Sequence, residues 1–211
     1  MDFITTLRQT GLIAILRGIP PEQVEAVGAA LYEQGFRIIE VPLNSPEPLL
    51  SISRLRRILP SDCWVGAGTV MTVTQLHDVA QSGGQLIISP HTDPVLIEET
   101  KRAGLISLPG AATPGEAFSA LAKGADAVKQ FPAEAIPPVV VKAWRAVIPA
   151  AIPLLPVGGI TPQAISDYRA AGASGFGLGG ALYQPGMTAE QVASRAADFV
   201  TAWRTSSPLN T

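Results

Sequence analysis

Ala127-Val128-Lys129-Gln130-Phe131-Pro132-Ala133-Glu134 is a short apolar run that ends on a lysine and is then interrupted by proline. Ala125 to Val128 reads as the start of a buried strand, and Lys129 stands where that strand should end. An ammonium group is strongly hydrated, so a lysine in an apolar strand needs a reason to be there. The chain has four lysines. Lys101 follows two glutamates and a threonine, Lys123 precedes a glycine, and Lys142 falls on a helical segment, so all three read as solvated. Lys129 is the exception and reads as a Schiff-base nucleophile.

The same short-strand design recurs on either side. Leu12 to Leu16 is the first strand, ending at Arg17-Gly18, and Arg37 to Val41 the second, stopped by Pro42. Val65-Gly66-Ala67-Gly68-Thr69 ends the third. Leu86 to Ser89 is the fourth, closed by Pro90, and Leu105 to Leu108 the fifth, closed by Pro109-Gly110. The lysine strand is the sixth, Ile152 to Val157 the seventh and Ser174 to Leu178 the eighth. Helix-period segments lie between them. Residues 3–9 suggest an opening helix, Pro21 starts one with Val24, Val27, Ala30 and Leu31 on its apolar stripe, and another begins at about Pro46. The last carries Val192, Ala196, Phe199 and Val200.

Eight strand-plus-helix units within 211 residues predict an α/β fold, a (β/α)8 TIM barrel with a short N-terminal helix, as a single domain over 1–211. An open doubly wound sheet shares the alternation, but the chain has no early Gly-x-Gly-x-x-Gly turn and no sign of strand-order reversal.

Composition agrees. A hydrophobic fraction of 47% with only 15% charged residues suits strands covered on both faces. A net charge of -2 gives no reason to expect nucleic acid or an anionic membrane as partner. The single cysteine, Cys63, excludes an internal disulfide and fits a reducing compartment. With no membrane-length apolar run and no basic, apolar leader at the N-terminus, a cytoplasmic location is expected.

Active sites of such barrels lie at the carboxyl ends of the strands. The polar residues there are Arg17, Glu40, Asn44 just beyond, Thr69, His91 just beyond, and Lys129. Strands two and six are four apart around an eight-stranded ring, so Glu40 and Lys129 should face each other across its mouth. A buried salt bridge would be the bland account, yet such pairs stabilise little once desolvation is counted. Burial lowers a lysine pKa and frees the amine, while the carboxylate pushes the other way. Arg17 suits a substrate carboxylate, or is simply a solvated arginine. Thr69, after small residues, offers a hydroxyl to the same carboxylate, or is structural. Gly158-Gly159 and Gly179-Gly180 follow strands seven and eight, where backbone amides suit a phosphate; tight turns are the alternative. His77 reads as a solvated helix residue, and His91 has no evident metal-ligand partners. Cys63, Trp64, Trp144 and Trp203 read as packing groups.

Several runs together resemble the class I 2-keto-3-deoxy-6-phosphogluconate and -galactonate aldolases: Ile39-Glu40-Val41-Pro42-Leu43-Asn44-Ser45-Pro46, Val65-Gly66-Ala67-Gly68-Thr69-Val70, Ile88-Ser89-Pro90, Val128 to Glu134, and Val157-Gly158-Gly159-Ile160. The resemblance runs nearly end to end, with the motifs in order. It implies a (β/α)8 barrel, a homotrimer, Lys129 as Schiff-base lysine and Glu40 as general acid/base. It also implies that Thr69 holds the carboxylate, Pro90 and Phe131 line the pocket, and Gly158, Gly159, Gly179 and Gly180 cradle phosphate. No cofactor or metal beyond the imine on Lys129 is implied. The partners would be a phosphorylated keto-deoxy sugar acid, pyruvate and glyceraldehyde 3-phosphate.

Asn44 replaces an arginine of the gluconate branch, and Arg17 in Ile15-Leu16-Arg17-Gly18 resembles the galactonate branch's way of filling that gap. Val157 is galactonate-like where the other branch tends to threonine, and Ala181 departs from the gluconate branch's serine. The expected reaction is cleavage of 2-dehydro-3-deoxy-6-phosphogalactonate. The alternatives are its gluconate epimer, a phosphosugar isomerase or epimerase working without an imine, and a non-catalytic phosphosugar binder.

Overall fold

The structure, a computed structural model, describes residues 1–206. Its α/β alternation is the one the sequence predicts. β1 (Leu12–Ile15), β2 (Ile38–Pro42), β3 (Trp64–Gly68), β4 (Leu86–Ile88), β5 (Ile106–Leu108) and β9 (Phe176–Leu178) form a sheet in the order β5-β4-β3-β2-β1-β9. β6 (Gly110–Ala111), β7 (Val128–Gln130) and β8 (Leu154–Pro156) form a second, in the order β6-β7-β8. Every pairing is parallel.

The curled parallel sheet is thus divided into six- and three-stranded parts, rather than the single unbroken eight-stranded sheet expected. The parts adjoin at both edges. β6 follows β5 across Pro109, and Val157, just past β8, bridges Gly177 of β9 in parallel. Two prolines behave differently from their expected role as strand stops. Pro42 pairs with Gly68 inside β2, and pairing resumes after Pro109, where Gly110 aligns with Lys129. A proline lacks only its own N–H, so it is tolerated wherever the ladder does not call on that donor. The third helix also begins at Pro48, two residues later than expected.

Period-two alternation sorts the strand residues into two environments. Leu12, Ala14, Ile39, Val41, Val65, Ala67, Ile87, Val128, Leu154, Phe176 and Leu178 pack with helix residues such as Val24, Leu55 and Phe199 in the larger core. Ile13, Ile38, Leu86, Ile88, Leu108, Ala127 and Leu155 form a second cluster inside the curl. α1 (Phe3–Thr10), capped by Asp2, inserts Phe3 and Leu7 into this inner cluster. It closes the end of the curl where the strands begin. α9 (Ala189–Thr205) packs beside it, and Trp203 donates its indole N–H to the Gln9 carbonyl at 3.1 Å.

The helices start where the sequence supplies starts. Pro21, Pro48, Pro94, Pro114 and Pro138 occupy first-turn positions, and Thr113 and Thr188 form capping boxes with Glu116 and Gln191. No helix among the described residues is long and apolar enough to cross a membrane. The expectation of solvated lysines holds for Lys142, whereas Lys101 is drawn partly inward by an ion pair with Asp126 at 2.6 Å.

Candidate active site

Among the described residues, the two buried charged side chains lie on β2 and β7. Glu40 pairs with Ile15 and Gly66, and Lys129 with Gly110 and Leu155, so alternation turns both side chains inward. Lys129 is 6% exposed and Glu40 1%. They line one small apolar cavity together with Ile13, Ile15, Ile88, Leu108, Leu155, Val157 and Gly177. No ion pair within 4.0 Å joins them, and Glu40 Oε2 is buried with no hydrogen-bond partner. The two groups therefore share one small, mostly apolar space without an ion pair between them.

Burial pushes the Glu40 carboxyl up to about 7, against the opposing pull of Lys129, Arg17 and the Gly68 backbone N–H. Burial likewise lowers the Lys129 pKa; Glu40 opposes this and Arg17 adds to it. Burial thus favours the uncharged form of both groups, which suits an amine nucleophile and a proton-transfer partner. Lys129 Nζ lies 4.6 Å from the Phe131 ring centroid, so Phe131 forms part of the amine's wall. Gly68 makes the carboxyl's position feasible, since a β-carbon there would fall inside the Glu40 carboxyl group.

A larger cavity of about 260 Å³ shares Ile15, Val157 and Gly177 with the first. Arg17, Phe131, Gly158, Gly159, Gly179 and Gly180 line the rest, with Ile160 and Ala181. The four glycines expected at the phosphate end are thus brought together, and Arg17 stands among them. Gly158 is packed so tightly on Glu134, in the turn after the lysine strand, that a β-carbon would collide with its carboxylate.

Thr69 and Pro90 occupy the ends of the neighbouring strands β3 and β4, where Val70 donates to the Ile88 carbonyl at 3.2 Å. Neither lines the two cavities above. Thr69 has φ 57, a left-handed conformation that β-branched residues rarely adopt. Such strain is concentrated at functional sites. Thr69→Gly is expected to raise stability by about 1 kcal/mol, because glycine tolerates this φ, while weakening substrate binding through loss of the hydroxyl. Thermal melts beside steady-state kinetics check both halves.

The bland readings hold for several other residues. His77 is exposed on its helix, Cys63 is fully buried with its thiol pushed up to about 12 by burial, and Trp144 and Trp203 are packed. Trp64 is half-buried, with its ring edge-on to Phe3 at 5.6 Å. His91 accepts from Ser89 Oγ through its backbone carbonyl, and no group of three metal-binding side chains occurs among the described residues. The sequence reading missed the contact between Arg17 and Asn44, where Nη1 donates to Oδ1 at 2.7 Å. Both residues lie just past strand ends, where the two-residue alternation no longer sets side-chain direction.

Residues 3–197 match the family model for KDPG and KHG aldolases. The chain is 44% identical over 192 residues to a probable 2-dehydro-3-deoxy-6-phosphogalactonate aldolase of Rhizobium meliloti (strain 1021), covering 91% of each. It is 42% identical over 193 residues to the 2-dehydro-3-deoxy-6-phosphogalactonate aldolase of Escherichia coli (strain K12), covering 92% of this chain and 94% of that one. A solved structure described as native KDPGal superimposes with a TM-score of 0.90 at 41% identity, over 92% of this chain and 94% of its own.

Proposed function

From the premise that the chain belongs to the KDPG and KHG aldolase family, and is therefore a carbon–carbon lyase, we propose that it cleaves 2-dehydro-3-deoxy-6-phosphogalactonate to pyruvate and glyceraldehyde 3-phosphate through an imine on Lys129. The observation that carries this reading is the buried amine facing a buried, unpaired carboxyl across an apolar cavity.

The neutral Lys129 amine adds to the C2 ketone, and loss of water with uptake of one proton from the Glu40 carboxyl gives a protonated imine and a Glu40 carboxylate. That cation accepts the electron pair released when C3–C4 breaks. Glu40 takes the C4 hydroxyl proton as the bond breaks and returns a proton to C3 of the enamine; a carboxyl poised near pH 7 does both without a large penalty. Hydrolysis then frees pyruvate and the lysine. No cofactor or metal enters this sequence. Thr69 at the end of β3 is assigned the carboxylate, Phe131 forms the pocket wall, and Gly158, Gly159, Gly179 and Gly180 take the phosphate; Pro90, expected in the pocket wall, lies outside both cavities.

Val157 lines both cavities, as do Ile15 and Gly177. Val157 is galactonate-like by the resemblance, and this agrees with the galactonate preference drawn from the two aldolase relatives reported above. Cleavage rates on the two C4 epimers test it. The galactonate epimer should have the higher kcat/KM by about tenfold or more. A preference for the gluconate epimer would reassign the substrate.

A complete (β/α)8 barrel in one domain is part of the proposal, supported by the adjoining edges of the two sheets at Pro109 and at Val157–Gly177. A homotrimer is the proposed assembly; Val95, Phe118, Val139 and Val147 leave apolar surface exposed on or beside the outer helices. A cytoplasmic location completes it, consistent with one buried, unpaired cysteine.

A further inference from the structure

We infer that a second anion site, separate from the lysine cavity, lies at the end of the curl where the strands begin, and that it takes a phosphoryl group on three arginines. It stands apart from the aldolase reading, because none of its residues lines either cavity described above.

A cavity of about 400 Å³ opens at that end. Arg8 enters it from the last turn of α1, Arg204 from the last turn of α9, and Arg169 from the last turn of the helix Ile165–Ala170. Gly35, in the turn before β2, lines the wall beside them. Among the described residues no aspartate or glutamate lines this cavity, and none of the three arginines makes an ion pair. A last-turn arginine has a plain structural use, since it offsets the partial negative charge of a helix C-terminus. That charge is about half a unit per helix, so three helix ends answer only roughly half the charge of three guanidiniums. The remainder is left for a ligand, in a chain whose formal net charge is -2.

The three heads are held to different degrees. Arg169 is fixed: its Nη1 donates to the Trp203 carbonyl at 2.8 Å, to the Ser206 carbonyl at 2.6 Å and to Ser206 Oγ at 2.9 Å, and its guanidinium lies 3.8 Å from the Trp203 ring centroid. Its Nε is buried with no hydrogen-bond partner. Arg8 and Arg204 are exposed on either side. Arg8 makes one long bond, from Nη2 to the Ala151 carbonyl at 3.3 Å, and Arg204 extends toward Gly35, where a β-carbon would lie 3.8 Å from its Nη2. Cations on separate walls suit a tetrahedral phosphoryl group, whose oxygens point several ways, better than a planar carboxylate. The volume exceeds that of phosphate alone and falls in the range of small-ligand sites. Because the Trp203 indole N–H bonds the Gln9 carbonyl at 3.1 Å, an anion held there ties α1 to α9 and should raise the melting temperature.

The test is calorimetric titration of the full-length protein with inorganic phosphate and with ribose 5-phosphate. Both probes also suit the glycine turns, so their inhibition of cleavage is measured alongside as the readout of that other site. Arg8→Ala and Arg204→Ala, both at exposed positions, should each weaken a binding component about tenfold, the scale of one charge-assisted hydrogen bond. They should leave kcat/KM and the inhibition constants unchanged, and Arg204→Lys should recover part of the loss. Tighter binding of ribose 5-phosphate assigns the site to a phosphorylated metabolite, and equal binding assigns it to free phosphate. Affinities untouched by both alanine variants, or lost only in step with cleavage, would overturn the inference. So would binding that appears only after residues 207–211 are removed, since the occupant would then belong to the chain itself.

Discussion

Lys129→Met is expected to abolish carbon–carbon cleavage while leaving a folded protein that melts at least as high as the wild type. Loss of a covalent nucleophile removes the whole low-barrier route, and rates then fall by roughly five orders of magnitude or more. Stability moves the other way because Lys129 is buried among Ile13, Ile88, Leu108 and Leu155, where an amine is desolvated and a thioether of similar length is not. Borohydride added with pyruvate should attach a pyruvyl group to Lys129 in the wild type and to nothing in the variant. A label on Lys101, Lys123 or Lys142 would transfer the nucleophile elsewhere. Because burial lowers the Lys129 pKa, trapping should proceed at a pH where an ordinary lysine is almost wholly protonated.

The second large effect falls on Glu40→Gln, which keeps the shape and removes the proton. Imine formation should survive in part, and cleavage should fall by about 10² to 10⁴, the range for a positioned general acid or base. The wild-type kcat/KM should show an acid limb near pH 7 as Glu40 ionises, and the variant should lose that limb. Stability follows with a definite sign. The folded Glu40 pKa of about 7 lies above its ordinary value of 4.5, so its favourable contribution is full at low pH and is lost as pH rises through about 7. Above that pH the glutamine variant should be the more stable, by on the order of 3 kcal/mol from the size of the shift. Chemical denaturation at acid and alkaline pH measures the difference. Wild-type turnover in the variant would remove Glu40 from the mechanism.

Much of this arrangement could be read from single residues. Lys129 announces itself because a charged group inside an apolar run has no structural excuse, and Glu40 because strand spacing sets it on the opposite wall. The paired glycines after β8 and β9 were readable for the same reason: loop chemistry is local. What stayed hidden depends on neighbours distant in sequence. Pro42 and Pro109 look like strand ends until the pairing partner is known, since the ladder decides whether the missing N–H matters. The left-handed backbone of Thr69 runs against its residue type and so has no sequence signal. The hydrogen bond from Arg17 to Asn44 has no sequence signal either, because the two residues lie 27 positions apart.

Phe3 and Leu7 fill the end of the curl where the strands begin, and this has a kinetic outcome. With that end filled by side chains, substrate is expected to reach Lys129 from the carboxyl ends of the strands, and in the proposed mechanism pyruvate stays covalently held after the aldehyde is formed. Departure is therefore sequential: the aldehyde leaves first and pyruvate second, and added pyruvate competes with fresh substrate for the empty enzyme.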